Sequence, residues 1–473
     1  MADKRKTDLF KNTSLLTICT ILNKVFGFIL VPLFSRWLTT EEYGTYDVLA
    51  SYASLLVPIV TVACADALFR FCIEEDSDKQ QFTTNAVVLT ISNLLILGVI
   101  FLIISKFVYY KYFGYLYILL YAECIDNVVQ GYLRGIKRLD IYGYCKAVGI
   151  LLIGGFTALL VLGFELGSLG ITLGYTIGYL LSDIIAIMIT RIWNYINIRK
   201  VSKKIIKKML DYSWVLVPNS LSWWVMNASD RLFISFFLTP ADNGIYAIAS
   251  KVPTVCSSIF SVFSITWQQT STEMINDKEK DSYFNEIFNK MICLLVTLCA
   301  GILSINYFLF HFVFDSNYAE GQLYSPILIT SAIFLSISQY FGGIEIALKR
   351  PKENSITTII GAVVNIIIDI MLMRFIGLYA AALSTLIAYI VVMLSRWIRL
   401  AKVIKLQINK NILPLSVFYL YIFICSIINP NIIIIVINML LTGVVFIVAN
   451  RNLVTSIVSN IKRNIHKFRV NEV

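Results

Sequence analysis

Residues 38–46 read LTTEEYGTY, and 200 residues further on residues 238–246 read LTPADNGIY. Each copy lies between apolar runs long enough to cross a bilayer as helices, so one polar turn is written twice in the same setting. In both, the glycine suits a tight turn, the acidic residue (Glu42, Asp242) favours a helix start, and the tyrosine suits the membrane–water interface. This recurrence predicts a chain made of duplicated helical units inside a membrane.

The composition agrees. The 473 residues are 58% hydrophobic with a mean hydropathy of +0.75, and 15% are charged; a water-soluble domain carries about 25%. The expected fold is an all-α integral membrane protein of about 14 transmembrane helices. The spans fall at 12–35, 44–68, 83–107, 112–134, 140–163, 167–191, 211–238, 243–268, 286–312, 322–348, 354–375, 377–400, 411–428 and 431–450, the fourth, seventh and eighth being the least apolar. The opening MADKRKTDLFKN is charged and leads into a threonine-dotted span without a small-residue cleavage pattern, so no removable signal peptide is expected. The nine cysteines lie in or beside apolar segments without a CxxC pair, which suits packing and not disulfides. No metal, cofactor or nucleotide is expected, because the two histidines (His311, His466) are far apart and no GxxxxGK[ST] loop occurs.

Alternate loops differ in charge. Lysine and arginine collect at Lys4–Lys11, Arg134–Arg138, RKVSKKIIKK (199–208), Lys349–Lys352, Arg396–Lys410 and the tail IKRNIHKFR. The other loops hold Arg36, Lys106, Lys111 and Arg374. The basic set, with both termini, is therefore expected in the cytoplasm, and the two opening motifs outside. The net charge of +11 then orients helices and meets anionic lipid; no nucleic-acid surface is implied.

Two more echoes follow the first. GIKR (135–138) is matched by ALKR (347–350), at an offset of 212. Gly167, Gly170, Leu173, Gly174, Ile177, Gly178 and Tyr179 are matched by Gly377, Ala380, Leu383, Ser384, Ile387, Ala388 and Tyr389, at an offset of 210. Matched segments fall on the same side of the membrane, which predicts two parallel six-helix lobes. The expected organisation is an N-terminal lobe (1–192), a basic amphipathic linker (193–210), a C-terminal lobe (211–402), two additional helices (403–450) and a basic tail (451–473). Pro58, Pro218 and Pro253 mark candidate hinges. The linker, whose isoleucines are interspersed with basic residues, suits an anionic lipid surface and is the natural place for the lobes to rock.

SRWLTTEEYGTYDVLASYASLL (35–56), SDRLFISFFLTPADNGIYAIASKV (229–252) and the fourteen-span, twice-six layout resemble bacterial polysaccharide flippases. These are the O-antigen and capsule repeat-unit translocases of the multidrug/oligosaccharidyl-lipid/polysaccharide exporter superfamily, and the resemblance covers the whole chain. It implies two MATE-like bundles around a central cavity, and alternating access that carries an undecaprenyl-diphosphate-linked oligosaccharide to the outer leaflet of the plasma membrane. It implies transport, not an enzyme. The implied partners are the lipid-linked oligosaccharide, membrane lipids and polysaccharide assembly proteins, with a polyprenyl groove beside the last two helices. The alternatives are a multidrug antiporter of the same superfamily, whose cationic drugs favour acidic cavities, and a membrane glycan-modifying enzyme.

Charges inside spans cost several kcal/mol unless they meet a cavity or a partner. At helical spacing, Thr13, Thr17, Thr20 and Lys24 share one face of the first span, and Glu123, Asp126, Asn127, Gln130 and Arg134 one face of the fourth. Others lie at Lys146, Asp183, the adjacent Asp230–Arg231 pair, Lys251, Glu345 and Asp369. A diphosphate needs cationic donors in a low-dielectric path. Lys24, Arg231, Lys251 and Lys146 are therefore the candidate anion site, and Asp66, Glu123, Asp126, Asp230 and Asp369 are candidates for ion coupling or structural pairing.

Overall fold

The computed structural model describes residues 24–74, 77–107, 112–410, 412–428 and 432–451, together with 454, 455 and 459. Residues 12–23 of the expected first span, most of the basic tail and the first basic cluster lie outside the described residues. The described chain is helical: α1 (24–37), α2 (Thr40–Val60), α3 (Cys64–Cys72), α4 (Lys79–Phe107), α5 (Phe113–Gly135), α6 (Leu139–Ala158), α7 (Gly167–Thr190) and α8 (Lys203–Ser213). Then come α9 (Leu216–Phe237), α10 (Pro240–Met274), α11 (Lys280–Phe308), α12 (Gly321–Ala347), α13 (Pro351–Ile376), α14 (Leu378–Leu400), α15 (Ile412–Ile427) and α16 (Ile432–Ala449). Among the described residues nine helices are long and apolar enough to cross a membrane, ten if α2 and α3, bent by 53°, form one span. The chain is a multi-pass helical membrane protein. The fourth and seventh expected spans (α5, α9) are too polar to pass that test, whereas the eighth (α10) passes.

The bend between α2 and α3 lies three residues beyond Pro58. That proline withholds a helix hydrogen bond, and Val62 and Ala63 then take φ of 50°. Pro253 leaves α10 continuous, and Pro218 falls in the first turn of α9, where the missing N–H has no intrahelical partner to lose.

The three sequence echoes adopt matching local structures. Thr39 and Glu42 form a capping box before α2, and Thr239 and Asp242 exchange the same bonds before α10. Lys137 and Lys349 both take φ near +60°, in turns where Arg138 N–H reaches Leu133 O at 3.0 Å and Arg350 N–H reaches Glu345 O at 2.9 Å. Gly167 and Gly377 take φ of +50° and +55° at the starts of α7 and α14, a left-handed conformation that costs other residues energy.

Contacts gather the chain into two compact units, Met1–Lys251 with Gly361–Ser384, and Val252–Ile360 with Thr385–Val473. Helices α10, α13 and α14 each pass from one unit to the other. In the first unit α3 to α8 pack around Cys64, Leu68, Val128, Tyr132, Cys145 and Ala186. In the second unit Arg396 is not the loop charge expected from its position. It is 1% exposed in α14, bonded to Ser338 O at 2.7 Å, to Thr357 at 3.0 Å and to Asn354, with Glu345 of α12 at 3.7 Å. A cavity of about 820 Å³ in this unit lies between α11, α15 and α16, with Leu415, Val444, Val445 and Val448 along its wall and Lys290 and Arg451 at its edge.

The linker after α7 is fastened to the first unit. Asn85 of α4 donates to Lys200 O at 3.2 Å and accepts from Ser202 N–H at 2.9 Å; Thr84 and Gln80 bond the backbone at 194–197, and Lys200 reaches Asp78 at 2.8 Å. The Lys200 ammonium holds the Asp78 carboxyl below its usual range. The second unit repeats the device on α11. Asn285 spans Lys405 O and Gln407 N–H, both at 2.7 Å, and Asn289 spans Gln407 O and Asn409 N–H at 2.9 and 2.8 Å. Within the first unit this linker is therefore bolted down along 194–202, and α8 lies on α3 and α4 with Lys208 over the rings of Phe71 and Phe82. Asn85→Ala strips two backbone groups of their partner and is expected to cost about 1–3 kcal/mol. A lowered thermal midpoint in detergent and faster proteolysis at 194–202 would report it, and an unchanged midpoint would show that the clasp contributes nothing.

Candidate functional site

The paired opening motifs meet within the first unit. A Cβ on Gly44 would lie 1.8 Å from Pro240 O, and one on Gly244 would lie 2.0 Å from Thr40 O. Each glycine thus admits the backbone of the other copy, inside a helix and not at a tight turn as its sequence setting suggests. The tyrosines depart from the interfacial position too. Tyr46 is 7% and Tyr246 1% exposed, because one packs on Tyr175 (4.8 Å between centroids) and the other donates to Asp230.

Around this crossing lies a buried polar network. Asn243 donates to Gly44 O at 3.0 Å, and Arg231 of α9 pairs with Asp47 of α2 at 2.9 Å while reaching Asn227 O and Ser250. The adjacent Asp230 turns to other partners, Tyr246 and Asn365, as the roughly 100° step between neighbours on a helix requires. Asn365 also bonds Ser229 and Ser384. Asp369 is fully buried beside Asp230 and Ser384, and neither of its oxygens has a hydrogen-bond partner within 3.5 Å among the described residues. Lys251 lies within electrostatic reach of Asp47 and Arg231.

A second cluster in the same unit lines a cavity of about 500 Å³. Its wall includes Ser54, Thr61, Asp66, Glu123, Asp126, Asn127, Tyr179 and Ser220. A smaller cavity of about 200 Å³ shares Asp126 and Tyr179 with it and is bounded by Lys146, Tyr175 and Ser182. Lys146 pairs with Asp126 at 2.8 Å, Gln130 donates to the same carboxylate at 3.0 Å, and Arg134 lies 3.6 Å from Asp66. Trp224 of α9 donates to Ser51 O and Ser54 at the cavity edge.

The expected anion site is thus dispersed. Arg231 and Lys146 each have a carboxylate partner, Lys251 joins the Arg231 network, and Lys24 is exposed on α1 with no ion-pair partner among the described residues. Asp66, Glu123 and Asp126 come together, and so do Asp230 and Asp369. Sequence reasoning missed Asp47 and Asn243. Each sits beside a turn motif, and the available signal was a polar side chain just inside a span. Among the described residues no group of three or more His, Cys, Asp or Glu side chains is arranged to hold a metal ion.

This is the fold of a helical membrane transporter with repeat-matched elements crossing on glycine. The chain belongs to the polysaccharide biosynthesis protein family, whose model matches residues 9–268. It is 23% identical over 401 residues to the probable low-salt glycan biosynthesis flippase Agl15 of Haloferax volcanii, covering 81% of this chain and 82% of that protein. In fold it is similar to the lipid II flippase MurJ in an inward closed conformation, with a TM-score of 0.71 and 16% identity over 94% of this chain and 99% of that one. It is also similar to an inward-facing MATE multidrug resistance transporter of the MOP superfamily, with a TM-score of 0.58 and 13% identity over 81% and 95% of the respective chains.

Proposed function

We propose that the protein flips a polyprenyl-diphosphate-linked oligosaccharide from the cytoplasmic to the outer leaflet of a bacterial plasma membrane by alternating access, with both termini in the cytoplasm. The observation that carries the reading is a polar, partly charged cavity lined by membrane helices in a chain of the polysaccharide biosynthesis family. The mainly apolar wall of the α11–α15–α16 cavity suits the polyprenyl tail. In this orientation the Gly44–Gly244 crossing closes the outer end. An inside-negative potential drives two phosphate charges outward by up to about 4.6 kcal/mol at 100 mV, so nucleotide hydrolysis is unnecessary. Lys24, exposed on α1, and Lys251, beside the Arg231 network, are the cations assigned to the diphosphate. The buried Asp369–Asp230 cluster, with Asn365 and Ser384 oxygens beside it, suits a coupling proton or monovalent cation.

The test is a deletion strain, which should accumulate lipid-linked repeat units on the inner leaflet and be restored by the wild-type chain. Lys24→Gln and Lys251→Gln should each fail to restore export at normal protein levels; full restoration by both would overturn the phosphate assignment. One observation favours a second reading. The Asp66–Glu123–Asp126 cavity is acid-lined, as a cationic drug would require. Altered drug sensitivity with normal surface glycan in the deletion strain would select that antiporter.

A further inference from the structure

The chain between α7 and α9 is fixed in place but only half covered. Its portion 191–208, RIWNYINIRKVSKKIIKK, holds seven lysines and arginines and no acid. Lys200 is paired with Asp78, and Lys208 sits over Phe71 and Phe82. The other five, Arg191, Arg199, Lys203, Lys204 and Lys207, are exposed, and none has an acidic partner among the described residues. On α8 the buried side is Met209 and Ser213, with Ile205 packed against the core of the first unit. Lys203, Lys204 and Lys207 therefore leave from the opposite face.

Large apolar side chains stand uncovered among these charges. Ile198 is 78% exposed and Trp193 51%; just beyond α8, Trp214 and Val215 are 65% and 69% exposed. A nucleic acid would satisfy the cations and leave these groups in water. Charges that served only to orient helices during insertion would need neither this apolar company nor a rigid mount. Both are present here, because Thr84 and Asn85 of α4 clasp the backbone between 195 and 202. Ammonium and guanidinium groups interleaved with indole and aliphatic side chains match a layer of phosphate heads over acyl chains. The segment begins directly after α7, a helix long and apolar enough to cross a membrane, so that layer is at hand.

We propose that residues 191–215 form a ledge that binds anionic phospholipid in the leaflet where α7 ends. The five exposed cations hold the headgroup phosphates, and Trp193, Ile198, Trp214 and Val215 enter the apolar layer beneath them. In the orientation proposed above this is the cytoplasmic leaflet. The partner is a phospholipid of net negative charge, such as phosphatidylglycerol. A zwitterionic lipid offers the same phosphate but sets its own cation against the lysines, and like-charge juxtaposition is unfavourable. The clasp on α4 passes this hold to the first unit and fixes the depth at which that unit sits in the leaflet.

The experiment uses the full chain in phosphatidylethanolamine–phosphatidylcholine vesicles. A trace of phosphatidylglycerol or phosphatidylcholine carries the same photoreactive diazirine acyl chain, and labelled peptides are identified by mass spectrometry. Labelling of 191–215 is divided by that of 356–371, a stretch of α13 whose isoleucines are exposed. In the wild type this normalised labelling should be at least about fivefold higher with phosphatidylglycerol. In Lys203→Gln/Lys204→Gln/Lys207→Gln the ratio should fall below about twofold, and the matching triple arginine variant should keep it. Equal labelling of the wild type by the two lipids would overturn the proposal, as would an undiminished ratio in the glutamine variant or a lost one in the arginine variant. Labelling by neither lipid would overturn it too, and would assign the ledge to an acidic protein partner. If the glutamine variant elutes as an aggregate, the wild type at high salt decides. Its ratio should shrink toward parity, because salt screens exposed charges, and a ratio indifferent to salt would refute the ledge. The assay reads contact and not transport, so its outcome is independent of the flippase reading.

Discussion

Gly44→Ala and Gly244→Ala are each expected to cut glycan export by about tenfold or more while leaving the protein in the membrane. The added methyl has nowhere to go, since the atom it meets is a carbonyl oxygen of the other repeat at 1.8 or 2.0 Å and backbone cannot rotate aside as a side chain can. Overpacking a tight contact costs about 1–3 kcal/mol, and here the cost falls only on the state in which α2 and α10 cross. On the proposed orientation that is the outer-closed state, so the variants should linger open to the outside. A cysteine placed at Thr45, which is 8% exposed beside the crossing, should then become reactive to impermeant maleimide in a background without other cysteines. Alanine variants that export at the wild-type rate would show that the crossing is not part of the transport cycle.

Arg231→Gln is expected to lose about 3–5 kcal/mol of stability, because it takes the ion-pair partner from the Asp47 carboxylate, whose side chain is 8% exposed. The double variant Asp47→Asn/Arg231→Gln should recover most of that loss, since it removes the partner along with the charge. Thermal midpoints in detergent measure both. The double variant also separates packing from transport. If it folds and exports glycan, the guanidinium serves the helix crossing alone; if it folds and does not, Arg231 also meets the substrate. A single Arg231→Gln variant as stable as the wild type would contradict the pairing.

The fold was legible to the extent that water and lipid write it into composition. Apolar runs located the helices, loop charge and matched motifs pointed to a duplicated unit, and the echoed turns proved to have matching geometry at Thr39 and Thr239, Lys137 and Lys349, Gly167 and Gly377. The break after α2 was only half visible. Pro58 announced a weakness, but the left-handed turn at Val62 and Ala63 uses residues that ordinarily avoid it.

The site was legible as stripes and not as pairs. Three- and four-residue spacing put Glu123, Asp126 and Asn127 on one face of α5, where they line the same cavity. Which cation met which acid could not be read, because Lys146 and Asp126 sit on separate helices and Asp47 and Arg231 are 184 residues apart. Asp47 escaped notice because a turn motif explains its neighbours, and Arg396 because a helix end and a loop look alike in hydropathy.

The asparagine clasps on α4 and α11 grip carbonyls and amides of the main chain in the segments that follow α7 and α14. Residues there can be exchanged without loosening the grip, provided the asparagines stay and no proline removes a gripped N–H. Apart from Lys200, paired with Asp78, and Lys208, seated over Phe71 and Phe82, the lysines and arginines of 199–208 are thus at liberty to track whatever lipid headgroups a particular membrane presents, while the scaffold beneath them keeps its shape.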